Sequence, residues 1–248
     1  MPSSRTPQED VLTAASLAGK TALVTGASRG IGRAIAMRLA QLGAHLLLVA
    51  RDPAALEAVK QHILQRGSTA DTISCDLTSA AAIAELGSRV ETLGGCDILI
   101  NAAGIGRIGA PLHQMPIEDF DAIVATNLRA PFVLMRAVVP GMIARGGGEI
   151  VNISSLAGQG PLANGAAYSA SKWGLNGLSY SAAEELRAHN IRVSVVAPGS
   201  VNTSFGRGGK DPSKMLQPED IAGVVAMLVT QPPQSFISEV RMRPTQKP

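Results

Sequence analysis

Thr25-Gly26-Ala27-Ser28-Arg29-Gly30-Ile31-Gly32 joins a short apolar run, residues 21–25, to a segment with helical spacing that starts at Gly30. Glycines between a strand and a helix permit a tight turn and let backbone amides approach an anion at the helix N-terminus. Taken alone, the pattern also suits a plain glycine turn ahead of a well-packed helix. What gives it weight is its place at the front of a regular alternation.

Outward from this loop, residues 21–25, 46–50, 70–75, 97–101, 149–154, 192–197 and 237–242 read as strands, rich in aliphatic and β-branched side chains. Residues 30–42, 53–66, 79–93, 118–144, 166–189 and 218–230 have helical spacing and fill the gaps. A β-then-α alternation that closes on a strand predicts parallel pairing with right-handed crossovers. The fold class is therefore α/β: one doubly wound parallel sheet of about seven strands with helices on both faces, in a single domain over residues 19–248. Leu46-Leu47-Leu48-Val49 fits a strand buried on both sides. Ligands of such sheets lie beyond the carboxyl ends of the strands. Residues 26–32, Asp76, residues 101–104, Ser154-Ser155 and Pro198-Gly199 all fall there.

Composition narrows the class. The 248 residues are 46% hydrophobic, and no apolar run reaches the ~18 residues of a membrane helix, which predicts a globular protein away from membranes. Residues 1–18 begin polar and carry Glu9-Asp10 where an export signal needs basic and apolar character. They read as a flexible tail, with a short helix over residues 8–16, on a cytoplasmic protein. The two cysteines, Cys75 and Cys96, are expected beside strands that are not neighbours, so no disulfide is predicted. The four histidines lack ligand spacing, and no catalytic metal is predicted. A net charge of +3 with scattered Lys and Arg and only 3% aromatic residues argues against a nucleic-acid surface.

The second strand ends Val49-Ala50-Arg51. An NAD site places a carboxylate there for the ribose hydroxyls. Arg51 is cationic instead, and with Arg29 it can meet a 2′-phosphate through charge-assisted hydrogen bonds, so NADP(H) is favoured over NAD(H). Asp76, with Leu77 beside it, can accept from an adenine amine or act as an ordinary helix cap. Asn101-Ala102-Ala103-Gly104 has small side chains that let backbone pass beside a cofactor; it equally suits a tight strand exit.

Tyr168-Ser169-Ala170-Ser171-Lys172 puts a phenol and an ammonium one helical turn apart, so the charge can act on the hydroxyl. Together with the glycine loop, Asp76, residues 101–104, Asn127, Ser155 and Pro198-Gly199, in this order, the chain resembles the short-chain dehydrogenase/reductase family from about Leu17 to Pro244. Members similar to 3-oxoacyl-[acyl-carrier-protein] reductases are the nearest broad group.

The resemblance implies a Rossmann-type fold and assigns roles. Tyr168 is the general acid in reduction and the base in oxidation, with Lys172 and an oxidised nicotinamide lowering its pKa. Lys172 also holds the nicotinamide ribose. Ser155, thirteen residues before Tyr168, stabilises the developing alkoxide. Ser154 is left as a strand-end hydroxyl bonded to nearby backbone. Asn127 holds a water behind Lys172. The cofactor contacts are Gly26, Ser28, Arg29, Gly30, Ile31, Gly32, Arg51, Asp76, Leu77, Asn101, Ala102, Ala103, Gly104, Tyr168, Lys172, Pro198, Gly199, the main chain at Val201, and Thr203. Residues 203–217 form a substrate lid in which Phe205 and Met215 meet an apolar substrate. Gly174 and Gly177 interrupt the helix of Tyr168 and imply close helix packing, with a homodimer or homotetramer as the assembly.

The activity this implies is reversible NADPH-dependent reduction of a small-molecule ketone or a 3-oxoacyl group, acyl-carrier-linked substrates included. The alternatives are an NAD(P)-dependent dehydrogenase of a sugar, polyol or steroid-like alcohol, and a non-catalytic NADP-sensing regulatory protein. Residues 238–244 lack the Gly-Gly ending of many carrier-protein reductases, which weighs against a carrier substrate. Arg129, Arg145 and Arg187 are the cations that a carrier would use, or ordinary surface charges.

Overall fold

The structure is a computed structural model that describes residues 16–205 and 211–248. Seven strands, β1 (Thr21–Thr25), β2 (His45–Ala50), β3 (Ala70–Ser74), β4 (Ile98–Asn101), β5 (Gly148–Ile153), β6 (Ile191–Pro198) and β7 (Glu239–Met242), form one sheet in the order β3-β2-β1-β4-β5-β6-β7. Every adjacent pair is parallel. The helices are α1 (Gly30–Gln41), α2 (Pro53–Leu64), α3 (Ala80–Thr92), α4 (Ile117–Val124), α5 (Ala130–Ala144), α6 (Ala166–Leu186) and α7 (Pro218–Val229). The doubly wound α/β fold is thus the one that the alternation predicts.

Side chains alternate across the sheet and feed two cores. Val24, Leu48 and Ile100 pack with α1, α2 and α7 through residues such as Ile35, Leu39, Leu56, Ile63 and Val225. Leu23, Leu47 and Leu99 face the other way, against Ile83 and Leu86 of α3 and Leu134 and Val138 of α5. Continuous apolar strands follow, because both faces are covered.

The single helix expected over residues 118–144 is interrupted by a π-helical turn, Ala125–Arg129, between α4 and α5. The turn leaves composition and spacing almost unchanged, so the pattern gave no sign of it. The stretch Ile117–Ala144 is long and apolar enough, by length and composition, to cross a membrane. In this fold α5 covers one face of the sheet through Leu134, Val138 and Met142.

One further expectation changes near the N-terminus. Leu17, assigned to the tail, is buried in the first core, and its N–H donates to the Leu42 carbonyl at 2.7 Å. Residues 1–15, including most of the expected short helix, lie outside the described residues. Of the expected lid, residues 206–210 also lie outside them. The return leg is tied to the end of β6: Val201 bridges to Leu216, Leu216 N–H donates to the Ser200 carbonyl at 3.0 Å, and Asn202 N–H to the Leu216 carbonyl at 2.8 Å.

Local chemistry sets the helix starts. Asp52 caps α2 by accepting from Ala55 N–H at 3.0 Å, Ser79 caps α3 from Ala82 N–H at 3.2 Å, and Gln217 with Asp220 forms a capping box on α7. The first turn of α1 has no side-chain cap. Gly26 (φ 66°) and Gly30 (φ 57°) shape the loop ahead of it in a left-handed conformation. Gly32 carries a different constraint: a Cβ there would overlap the Gly26 carbonyl oxygen and lie 3.0 Å from that of Thr25. In α6, a Cβ on Gly174 would lie 2.8 Å from Leu128, so that glycine does mark close helix packing. Gly177 has nothing within 4 Å.

Gly32→Ala therefore meets backbone that cannot swing aside, and a loss of about 1–3 kcal/mol is expected. Gly223→Ala, in α7 with open space around it, should gain up to ~1 kcal/mol. Urea denaturation midpoints of the two variants measure both signs.

Candidate active site

The carboxyl ends of the strands bring the predicted groups to one edge. The Thr25 hydroxyl, at the end of β1, donates to the Ile100 carbonyl at 3.2 Å and accepts from Ala102 N–H at 3.0 Å and Ala103 N–H at 3.1 Å. It thereby ties the glycine loop to the β4 exit. A Cβ on Gly26 would come within 3.0 Å of Ala103 backbone, and the Thr203 methyl lies 3.4 Å from where a Gly30 Cβ would be. Thr203, from the loop after β6, thus sits over the start of α1. The N–H groups there lack a side-chain cap and lie at the positive end of the helix, a setting that suits an anion. Ser28 and Ile31 are half-buried in this loop.

Arg29 and Arg51 are both exposed, and neither forms a salt bridge among the described residues. Asp76 accepts from Thr78 N–H at 3.0 Å and from its hydroxyl at 2.9 Å. Those bonds, the backbone one foremost, hold its carboxyl below the ordinary range against the opposing cost of burial, with a smaller contribution from the nearby Arg51 charge. The Leu77 side chain belongs to the core, which leaves only its backbone for a ligand. Asn101 is likewise committed: its Nδ2 donates to Asn152 Oδ1 at 2.8 Å across the β4–β5 pair. Pro198 ends β6, and Gly199 N–H donates to the Met242 carbonyl at 2.9 Å.

Ser155 follows β5 and opens a short 3-10 turn, with its Oγ accepting from Ala157 N–H at 3.1 Å. Tyr168 and Lys172 project from α6 and are buried, at 8% and 4% exposure. Burial raises the Tyr168 phenol pKa, and the nearby Ser155 hydroxyl opposes the rise. Lys172 Nζ donates to the Ile153 carbonyl at 2.8 Å and lies 5.9 Å from the centre of the Tyr168 ring. The sequence reading has Lys172 and a bound nicotinamide lowering the phenol. The ammonium itself is held by the end of β5.

The Asn127 side chain makes three bonds to the protein: Oδ1 accepts from Ile105 N–H at 2.9 Å, and Nδ2 donates to the Ile105 carbonyl at 2.8 Å and to Ser171 Oγ at 3.1 Å. It clamps the β4 exit to α6. A Cβ on Gly104 would lie 3.3 Å from Asn127 Oδ1 and 3.7 Å from Lys172 Nζ, so both atoms face the space that this glycine leaves. Ser154 departs from expectation. Its hydroxyl donates to Asn176 Oδ1 at 2.6 Å, a side chain on α6 rather than nearby backbone, and Asn176 Nδ2 goes on to the Gly158 carbonyl at 2.9 Å.

Several supporting residues escaped the sequence reading. Asn152 receives Asn101 and donates to Ser179 Oγ at 2.8 Å; Ser169 donates to the Ala157 carbonyl at 2.6 Å and anchors the turn after Ser155. A lone Asn within Ile150-Val151-Asn152-Ile153 was the available signal. Phe205 packs on Tyr168, whereas Met215 is buried at the far leg of the loop. The three proposed carrier-docking cations have local partners: Arg129 donates to the Thr78 carbonyl, Arg145 to Glu91 and the Cys96 carbonyl, and Arg187 to Glu184. Cys96 precedes β4, so Arg145 lies at the opposite edge of the sheet from Tyr168.

Residues 20–212 match the short chain dehydrogenase family. The sepiapterin reductase of Chlorobaculum tepidum is 36% identical, over 90% of this chain and 95% of that protein. A metagenomic short-chain oxidoreductase solved with NADP is 53% identical and superposes with a TM-score of 0.83, covering 92% of this chain and 99% of the other. The 3-oxoacyl (acyl-carrier-protein) reductase of Agrobacterium tumefaciens, solved with NADP bound, is 32% identical with a TM-score of 0.87, over 94% and 96% of the two chains.

Burial lowers the Lys172 pKa from 10.5 to about 8. Below the lower value both the folded and unfolded chains hold the proton, and the folded state carries the full desolvation cost; between the two values the unfolded chain binds more protons, so stability rises with pH. Lys172→Met removes this dependence. Its stability relative to wild type should be highest below pH 8 and fall by on the order of 3 kcal/mol toward pH 10.5. Urea titrations at a series of pH values measure the difference.

Proposed function

The chain belongs to the short chain dehydrogenase family, and from that membership we propose that it is an NADPH-dependent reductase that converts a ketone to a secondary alcohol, reversibly. The observation that carries this reading is the buried Tyr168 with the half-buried Ser155 near its hydroxyl and Lys172 one turn along the same helix. The NADP held by two solved relatives supports the choice of cofactor class.

The amides at the start of α1 and the Thr203 side would hold the pyrophosphate, while Arg29 and Arg51 would take the 2′-phosphate. When bound, the reduced nicotinamide supplies the hydride for the carbonyl carbon. Tyr168 delivers its phenolic proton to the carbonyl oxygen as the C–H bond forms, so the C=O π bond is replaced by C–H and O–H bonds. Ser155 hydrogen-bonds the same oxygen and stabilises its developing negative charge. Lys172, with a pKa near 8, is largely protonated at neutral pH and favours the phenolate that Tyr168 becomes. Asn127 acts as a positioning residue, fixing Ile105 and α6 around the ammonium. In oxidation the phenolate takes the proton back from the alcohol.

The local partners of Arg129, Arg145 and Arg187 favour a free small-molecule ketone over a carrier-linked 3-oxoacyl group. Carbonyl reduction is followed by loss of NADPH absorbance. Tyr168→Phe should lower kcat by ~10²–10⁴-fold while NADPH binding persists; undiminished turnover would remove Tyr168 from the chemistry. Arg51→Ala should weaken NADPH binding by about tenfold and leave NADH binding unchanged, as read by fluorescence titration. Equal NADPH affinity in variant and wild type would sink the assignment of Arg51.

A further inference from the structure

Phe205 lies two residues beyond Thr203, and its ring packs on Tyr168 with centroids 5.8 Å apart and planes tilted by 54°. The ring fits there because residue 106 is glycine. A Cβ on Gly106 would lie 2.9 Å from Phe205 Cε1, 3.0 Å from Cζ and 3.5 Å from Ile108 Cδ1. Ile108 reaches onward to 3.5 Å from where a Gly165 Cβ would be, a position that Leu162 also lines. Phe205, Ile108 and Leu162 thus run as one apolar wall away from the phenol.

Phe205 and Ile108 are each 47% exposed. Single apolar side chains in water need no explanation, but contiguous ones beside a reactive group do. Arg107, between Gly106 and Ile108, is ion-paired with Asp119, so its charge is already matched. A carbonyl oxygen bonded by Tyr168 and Ser155 leaves its substituents beside this wall, and an aromatic substituent gains most from a tilted ring at this distance.

We infer that Phe205 is the selectivity-determining residue, seated by Gly106, and that the wall commits the site to an uncharged ketone with an aromatic or bulky apolar group next to the carbonyl. The inference rests on the reading of Tyr168 as proton donor to a carbonyl.

The test compares kcat/KM for acetophenone, 2-butanone and ethyl acetoacetate in wild type, Phe205→Ala and Gly106→Ala. Wild type should prefer acetophenone. Phe205→Ala should lower its kcat/KM about tenfold, mainly through KM, with 2-butanone changed by less than about twofold. Gly106→Ala should shift selectivity the same way, because its methyl displaces the ring edge. A wild type that prefers 2-butanone or the 3-oxo ester, or a Phe205→Ala variant that loses activity equally on all three, would overturn the inference while leaving carbonyl reduction standing. Absence of turnover on every ketone would overturn both.

A second measurement needs no turnover. The chain has two tyrosines, so in a Tyr180→Phe background the absorbance of tyrosinate reports Tyr168 alone. Phe205→Ala should move that titration to lower pH by uncovering the phenol; an unchanged midpoint would show that the ring does not cover it and would overturn the wall.

Discussion

A parallel strand is entered only through a crossover, and all its neighbours end at the same edge. That constraint governs this molecule. Seven strands in the order β3-β2-β1-β4-β5-β6-β7 deliver their following loops to a single rim, and groups separated by more than a hundred residues converge there without any specific attraction. Thr25, Ala103, Ser155 and Thr203 share that rim because each follows or ends a strand. Side-chain contacts then refine a meeting that topology has arranged, as the Thr25 hydroxyl does for the β1 and β4 exits.

The refinement is costly in polar groups. Asn127, Asn152, Ser154, Ser171, Lys172, Asn176 and Ser179 are all buried, most of them where α6 meets β5 and the π-helical turn. Buried polar groups lose hydration unless each finds a partner, and here the partners are specific: Lys172 with the end of β5, Asn176 with Ser154 and Gly158, Ser179 with Asn152. An apolar seam would tolerate sliding of α6; a seam of paired polar groups penalises it. The phenol and ammonium are therefore held against β5 by bonds from the same helix that carries them.

Much of this was legible in the sequence, for identifiable reasons. The strands read clearly because both-face burial writes continuous apolar runs such as residues 46–49. Tyr168 and Lys172 read clearly because one helical turn fixes their relation whatever surrounds them. What stayed hidden depends on contacts across the fold. The π-helical turn at Ala125–Arg129 changes the turn of the backbone without changing composition. Leu17 looks like the end of a polar segment until Leu42 is seen to accept its N–H. The pairing of Asn101 with Asn152 requires knowing that β4 and β5 are adjacent. The burial that raises the Tyr168 phenol depends on how the fold closes around α6, which spacing alone does not report.

Among the described residues, the sheet order leaves β3 and β7 with one unpaired edge each. Unpaired strand edges invite lateral growth of the sheet into aggregates, and short strands, charges and prolines are the common deterrents. β7 is four residues long and carries Glu239 and Arg241, which bond to each other, with Pro244 two residues past its end. β3 carries Asp71, paired with His45 of β2. The same open sheet that gathers the site at its rim is thus closed to further strands at its sides, a protection that matters most while the chain is newly made and crowded by its own copies.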